Sequence, residues 1–182
     1  MGKFSTDAFS AICRSAGMNS RSLPVPTTET LKHGRGNTTC KECLPFILTT
    51  GSLVEYCQNK HKNGNNTTNP EPLPVGKNGK KILFSMPHGY GPCRQGQYYI
   101  SLKDIISNLK LKDIGILSMD DEASFDDLGS DFFLKGWLAI TIGDIIHDIE
   151  SIIQTLAVDR SSALQILNEQ FSRILFSLEN EK

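Results

Sequence analysis

Cysteine is the residue type in this 182-residue chain that could act as a metal ligand or a reactive thiolate. Three of the five cysteines stand in loops that precede helical patterns. Cys40 and Cys43 form a Cys-x-x-Cys pair just before Pro45, and Cys93 stands in the glycine- and proline-rich stretch 86–98. Backbone amides at the start of a helix carry partial positive charge, which stabilises a nearby thiolate. The sequence therefore predicts that the two cysteine loops converge on one site.

The other two cysteines, Cys13 and Cys57, stand inside apolar helical patterns, a context that is typical of a buried core thiol. Cys57 lies fourteen residues beyond Cys43, which is about 21 Å along a continuous helix, so these two sulfurs could not bind one metal centre. The number of cysteines is odd, and the N-terminal segment lacks the layout of a signal peptide. Both observations argue against a disulfide framework and predict a cytoplasmic protein.

The three loop cysteines could hold an iron–sulfur cluster or zinc, with water, substrate or another residue in the fourth position. Soft thiolates exclude magnesium and calcium. His88 is a candidate fourth ligand, with a plain loop residue as the alternative. Arg94 could offset the charge of an anionic cluster, bind a carboxylate or phosphate, or form only a surface salt bridge. Gln97 completes the set of residues expected around the ligands.

A redox-active dithiol of the thioredoxin kind is the competing interpretation of the Cys-x-x-Cys pair. Pro45 lies outside the pair, however, and no matching strand precedes it. The formal net charge of -1 gives no general attraction to nucleic acid or to a membrane surface. The chain also lacks the Gly-x-x-x-x-Gly-Lys-Ser/Thr motif of an ATP-binding loop.

Short β-type runs alternate with helical runs over the first two thirds of the chain. The predicted strands lie near residues 20–25, 81–86 and 113–118. Because helices separate them, right-handed crossovers and parallel pairing are expected. The predicted fold class is α/β: a flavodoxin- or Rossmann-like three-layer domain with a short parallel sheet, and with both cysteine loops at the carboxyl edge of that sheet.

Two long helices are predicted at the C-terminal end, over residues 131–157 and 161–178. The first has an apolar stripe in alternating steps of four and three residues: Leu138, Ile142, Ile145, Ile149, Ile152 and Leu156. Such a pair predicts a helical hairpin that packs on the α/β part or forms an interface with another domain, with Trp137 in the core. We therefore expect an α/β domain over residues 1–130 that binds the cluster and lacks the strand with which such a domain usually begins. A helical extension is expected over residues 131–182.

The cysteine loops read Cys40-Lys-Glu-Cys-Leu-Pro-Phe-Ile-Leu-Thr-Thr-Gly-Ser52 and Gly91-Pro-Cys-Arg-Gln-Gly-Gln-Tyr98. This two-part pattern resembles the motifs of the 2-hydroxyacyl-CoA dehydratase family, and most closely the branch of acyl-CoA dehydratase activase-related proteins. Supporting similarity extends upstream to Ala8-Phe9 and downstream over residues 133–140.

The resemblance implies a flavodoxin-like α/β domain with helical additions. It also implies an iron–sulfur cluster, of the 4Fe–4S type, held by cysteines at loop-to-helix junctions. Cys43 and Cys93 match the motif cysteines, with Cys40 beside them. In this family the cluster receives an electron from an ATP-dependent activase and supports radical elimination of water from a 2-hydroxyacyl-CoA, a reaction of anaerobic metabolism.

By this resemblance the chain is an electron-accepting component or fragment of a dehydratase (lyase)-type or ATP-driven reductase system. It would not be active alone. Its expected partners are the activase and a second dehydratase-like subunit or domain. Two alternatives stay open: a non-enzymatic α/β module that binds a partner without a cluster, and a zinc or thiol-redox protein.

Overall fold

The computed structural model describes residues 2–39, 41–62, 82–87, 91–111, 113–119 and 129–180. Within these ranges the chain forms six α-helices, one short 3₁₀ helix and two β-strands. In chain order they are α1 (Lys3–Ser15), α2 (Thr28–Gly36), α3 (Leu44–Lys62), β1 (Ile82–Pro87), the 3₁₀ helix (Arg94–Gln97), α4 (Tyr98–Asn108), β2 (Ile114–Met119), α5 (Gly129–Leu156) and α6 (Arg160–Asn180).

The chain divides into two compact units. The helical unit consists of Met1–Val25 together with Phe125–Lys182, and the central unit consists of Pro26–Ser124. The N-terminal helix, which the sequence analysis assigned to the α/β domain, thus shares a unit with the two C-terminal helices.

Helix α1 packs against α5 and α6 to form the core of the helical unit. Gly17, with a φ of 82°, ends α1 in the left-handed conformation that glycine adopts without strain. Gly143 allows α5 to approach α1 closely, because a Cβ at this position would clash with the backbone of Ser5. The Ser5 hydroxyl donates a hydrogen bond to the Asp144 carboxylate at 2.7 Å, so polar groups also fix this contact.

Helix α5 carries two apolar faces side by side. The face toward the core is built from a mixture of large and small residues: Phe132, Gly136, Ala139, Gly143 and Ile146. Most of the predicted stripe is exposed instead, namely Leu138, Ile145, Ile149, Ile152 and Leu156. The expectation that Trp137 belongs to the core is wrong, because 63% of this residue is exposed.

In the central unit, α2 and α3 lie in close contact. A Cβ at Gly34 would clash with the carbonyl of Ile47, and a Cβ at Gly51 would clash with the carbonyl of Thr30. The Thr30 side chain helps to cap α2, and its hydroxyl donates to the Glu55 carboxylate of α3 at 2.5 Å. These contacts fix the position of α3, whose first turn adjoins Cys43.

Strands β1 and β2 pair in parallel, with register from Ile82 opposite Ile114 to Pro87 opposite Met119. Helix α4 connects them and packs on them, burying Leu102 completely. The strands predicted near residues 81–86 and 113–118 therefore exist and form a single β-α-β crossover.

The prediction of a three-layer, flavodoxin- or Rossmann-like α/β domain is wrong. The described part of the chain is mostly helical and contains only a two-stranded sheet. The predicted strand over residues 20–25 is irregular backbone in the helical unit. Pro24, and Pro26 just after the predicted strand, lack the amide hydrogens that strand pairing needs. In addition, the Ser20 carbonyl accepts a hydrogen bond from the Arg14 side chain of α1 at 3.2 Å.

None of the described helices combines the length and the hydropathy that a membrane span needs.

Candidate functional site

Cys43 lies at the start of helix α3. Its carbonyl accepts hydrogen bonds from the backbone amides of Phe46 at 3.0 Å and Ile47 at 3.2 Å, so the residue forms the first turn. Pro45 suits this position because a proline in the first turn sacrifices no helical hydrogen bond. The Cys43 side chain is half-buried, and a 19-residue helix extends away from it. Its sulfur therefore sits where the helix dipole favours negative charge.

The Cys43 sulfur is hydrogen-bonded to the Tyr98 hydroxyl, with 2.6 Å between Sγ and Oη. Tyr98 begins helix α4 and is only 7% exposed. Its ring packs on the ring of Phe46, with 4.8 Å between centroids and a tilt of 58°. Because α3 supplies Cys43 and Phe46 and α4 supplies Tyr98, the packing of these two helices brings the two parts of the sequence motif together.

The surroundings of the Cys43 sulfur favour its thiolate. The pKa of Cys43 is lowered, first by the hydrogen bond from Tyr98 and then by the backbone amide of Phe46. Partial burial opposes this shift, and the positive charge of Arg94 adds to it. Burial, together with the hydrogen bond and charge of Cys43, raises the pKa of Tyr98 to about 12. The phenol therefore keeps its proton at neutral pH and can donate a hydrogen bond to the Cys43 sulfur.

Cys93 is exposed and lies just before the 3₁₀ helix that leads into α4. The Gly96 amide donates to the Cys93 carbonyl at 3.4 Å. Cys93 contributes electrostatically to the raised pKa of Tyr98, as does Cys43. The structure thus places both motif cysteines within electrostatic reach of one hydroxyl. That their two sulfurs share one metal centre stays a prediction.

A pocket of about 170 Å³ opens beside the Cys43 sulfur, lined by Glu42, Cys43, Phe46, Arg94, Gln97, Tyr98 and Ser101. Arg94 and Gln97, both proposed from the sequence to lie around the ligands, therefore share this pocket with Cys43. One Glu42 carboxylate oxygen accepts hydrogen bonds from the backbone amide of Thr39 at 3.2 Å and from its hydroxyl at 3.0 Å. The other oxygen is buried and has no hydrogen-bond partner among the described residues.

Tyr98 and Glu42 are not among the site residues predicted from the sequence. Tyr98 ends the second motif segment and Glu42 stands between the two cysteines of the first, so both were within the motifs. The local sequence of neither segment indicates that a tyrosine in one contacts a cysteine in the other. Two other predicted site residues, Cys40 and His88, lie outside the described residues.

The remaining cysteines are core thiols, as predicted. Cys13 is buried in the helical unit and Cys57 in the central unit. Burial raises the pKa of the Cys13 thiol, against the hydrogen bond from Ser20. Neither residue lines the pocket beside Cys43.

The described residues contain no group of three or more histidine, cysteine or acidic side chains placed to hold a metal ion. The thiolates of Cys43 and Cys93 would be soft donors, and the positive charge of Arg94 acts on the Cys43 sulfur. This donor chemistry fits iron or zinc as two of the ligands, and further ligands must come from outside the described ranges or from a partner.

No family model, no curated protein and no solved structure matches the chain in comparisons with known proteins. The geometry beside Cys43, read with the sequence motifs, is therefore the basis for a functional proposal.

Proposed function

We propose that this chain is an iron–sulfur-bearing, electron-accepting component or fragment of a system similar to the 2-hydroxyacyl-CoA dehydratases and their activase-related proteins. The observation that carries the proposal is the meeting of the two motif segments at the Tyr98 hydroxyl. Cys43 from the first segment is bonded to it at 2.6 Å, and Cys93 and Arg94 from the second act on it electrostatically.

In this proposal Cys43 and Cys93 are thiolate ligands and Cys40 is a third. The start of α3, the Tyr98 hydroxyl and Arg94 offset the negative charge that several thiolates bring to one place. The rings of Phe46 and Tyr98 pack on each other in a hydrophobic cluster against which Cys43 lies. A bound cluster, of the 4Fe–4S type, would supply one-electron chemistry in support of radical elimination of water.

The residues of this chain would hold and tune the electron acceptor, and its partners would supply the rest. These partners are an ATP-dependent activase and a second dehydratase-like subunit or domain, in the cytoplasm. The chain lacks an ATP-binding loop motif, which is consistent with a separate source of the low-potential electron.

Anaerobic purification of the full chain tests this function. Iron, acid-labile sulfide and zinc are measured together with the visible absorption spectrum. We expect iron and sulfide in the wild type and after Cys57→Ala, and loss of most of the iron after Cys43→Ser or Cys93→Ser. Equal iron content in wild type and Cys43→Ser would contradict the proposal.

A zinc or thiol-redox protein is the second candidate, because the stabilised Cys43 thiolate would serve either role. The same measurement distinguishes these functions. Stoichiometric zinc without sulfide would indicate a zinc site. A metal-free protein that forms a reversible Cys43–Cys93 disulfide, detected by mass spectrometry, would indicate a redox dithiol.

A further inference from the structure

We propose that Tyr98 is a positioning residue for this site: its hydroxyl holds the Cys43 sulfur at the pocket wall by a hydrogen bond, so that Cys43 binds a soft metal ion more tightly. The inference rests on the proposed function, since it assumes that Cys43 is a metal ligand. It adds a role for a residue that is not itself a ligand.

The first support is geometric. The 2.6 Å separation between Cys43 Sγ and Tyr98 Oη is a close contact for a bond to sulfur. Tyr98 cannot readily turn away, because it is 7% exposed and its ring lies against Phe46. The packing of α3 and α4 thus places the hydroxyl, and the hydroxyl in turn holds the sulfur.

The second support is chemical. At neutral pH a phenol is a hydrogen-bond donor, and a thiolate bound to a metal still accepts hydrogen bonds. Partners that orient a metal ligand in this way typically change metal affinity 10–100-fold when they are removed. The ring and the hydroxyl of Tyr98 make different contacts, since the ring packs on Phe46 and the hydroxyl is bonded to the sulfur. Tyr98→Phe therefore removes the proposed role and keeps the packing.

The experiment uses the full, metal-free chain under anaerobic conditions, with Co²⁺ alone as the probe. Cobalt bound to thiolate has a charge-transfer absorption that reports both binding and the number of sulfur ligands. We expect Tyr98→Phe to weaken Co²⁺ binding 10–100-fold and to shift the charge-transfer band. The matched control is Tyr99→Phe, which removes the same atom from the neighbouring residue of α4 and should leave the affinity within about threefold.

A double-mutant cycle shows whether Tyr98 acts through Cys43. In a Cys43→Ser background, Tyr98→Phe should cause no further loss of Co²⁺ affinity. The same loss with and without Cys43 would overturn the positioning role, because the hydroxyl would then act through the general structure. Circular dichroism of each variant verifies that the helices are retained.

The outcomes separate this inference from the function on which it rests. If the wild type binds Co²⁺ through thiolates and Tyr98→Phe binds it equally well, the role of Tyr98 is refuted and the metal site stands. If the wild type binds no Co²⁺ through thiolates, the metal-site function is refuted and the role of Tyr98 falls with it.

Discussion

At the residue scale, Cys43 and Cys57, one just before helix α3 and one inside it, show how position changes the chemistry of a thiol. Cys43 stands at the start of the helix, beside the Tyr98 hydroxyl and the charge of Arg94, and its pKa is lowered. Cys57 stands inside the same helix and is 3% exposed. Burial disfavours the charged form of a thiol, and at the half-buried Cys43 the Tyr98 hydroxyl and the Arg94 cation oppose that effect.

This difference predicts the order of alkylation in the metal-free protein. Iodoacetamide should modify Cys43 well before Cys57 and Cys13, because the thiolate is the reacting species and the other two sulfurs are buried. Since the pKa of Cys43 is lowered, its rate should reach a plateau at a lower pH than that of an ordinary thiol. Mass spectrometry of peptides from a timed reaction measures this order. Modification of Cys57 at the same rate as Cys43 would contradict it.

A second prediction concerns Asp159, which caps helix α6. Its carboxylate accepts hydrogen bonds from the Ser162 backbone amide at 3.1 Å and from the Ser162 hydroxyl at 2.6 Å. The bond from the hydroxyl, followed by the bond from the amide, lowers the pKa of Asp159. A carboxyl whose pKa is lowered by folding contributes stability above its unfolded pKa, and this contribution is lost as the pH falls through the folded pKa.

Asp159→Ala should therefore lower the free energy of unfolding at pH 7, and the loss should shrink as the pH falls below about 4. Asp159→Asn is the matched control, because asparagine also caps helices but carries no charge that titrates. Urea unfolding at several pH values, followed by circular dichroism, measures the difference. An Asp159→Ala effect of equal size at pH 7 and pH 3 would refute the linkage.

At the element scale, glycines decide how closely helices approach. A Cβ at Gly51 of α3 would clash with the Thr30 carbonyl of α2, whereas a Cβ at Gly36 would have no atom within 4 Å. Gly51→Ala should lower the free energy of unfolding by about 1–3 kcal/mol, because backbone atoms cannot move aside as a flexible side chain can. Gly36→Ala should be neutral or stabilising, since alanine is the better helix former. Urea unfolding of both variants provides the comparison.

The two faces of α5 provide a further matched pair. Ile146 is 7% exposed and packs in the helical unit, while its neighbour Ile145 is 53% exposed. Ile146→Ala should cost about 2–5 kcal/mol of unfolding free energy, and Ile145→Ala no more than about 0.5 kcal/mol. Equal effects in thermal or urea unfolding would show that the buried face of α5 has been misassigned.

The same helix shows which parts of the fold could be predicted from the sequence. The extent of α5 was predictable, 131–157 against Gly129–Leu156, because helical periodicity is a local property. The buried face of α5 was not predictable. The stripe of large apolar residues predicts a different face, because the close approach to α1 requires small residues such as Ala139 and Gly143. The strand predicted over residues 20–25 does not form for a related reason: the pairing of a strand depends on partner strands that are distant in sequence.

The candidate site was predictable to a similar extent. Cys43, Cys93 and Arg94 follow from local motifs, since loop-to-helix junctions can be recognised from proline and glycine. The bond from Tyr98 to Cys43 joins residues 55 positions apart and depends on how α3 packs against α4. Such a contact depends on the tertiary structure, so it could not be predicted from a single sequence.

At the scale of the whole molecule, the described site lies entirely in the central unit, and the helical unit contributes none of the residues lining the pocket. That pocket, at about 170 Å³, is smaller than the roughly 300–1,000 Å³ that drug-sized ligands occupy. This described pocket can accommodate a small group beside Cys43 and is too small for a whole 2-hydroxyacyl-CoA. Under the proposed function we expect another subunit or domain to bind the substrate.

The last prediction follows from that size and from the missing ATP-binding motif. The isolated chain, even when loaded with iron and sulfide, should dehydrate no 2-hydroxyacyl-CoA under reducing, anaerobic conditions. Adding an ATP-dependent activase and a partner subunit should be required for turnover, measured as enoyl-CoA formed per chain. In the complete system Cys93→Ser should abolish turnover, whereas Cys57→Ala, which changes a buried cysteine away from the pocket, should retain it. Turnover by the isolated chain would show that it holds both a substrate site and its own source of electrons, and would refute the dependence on partners.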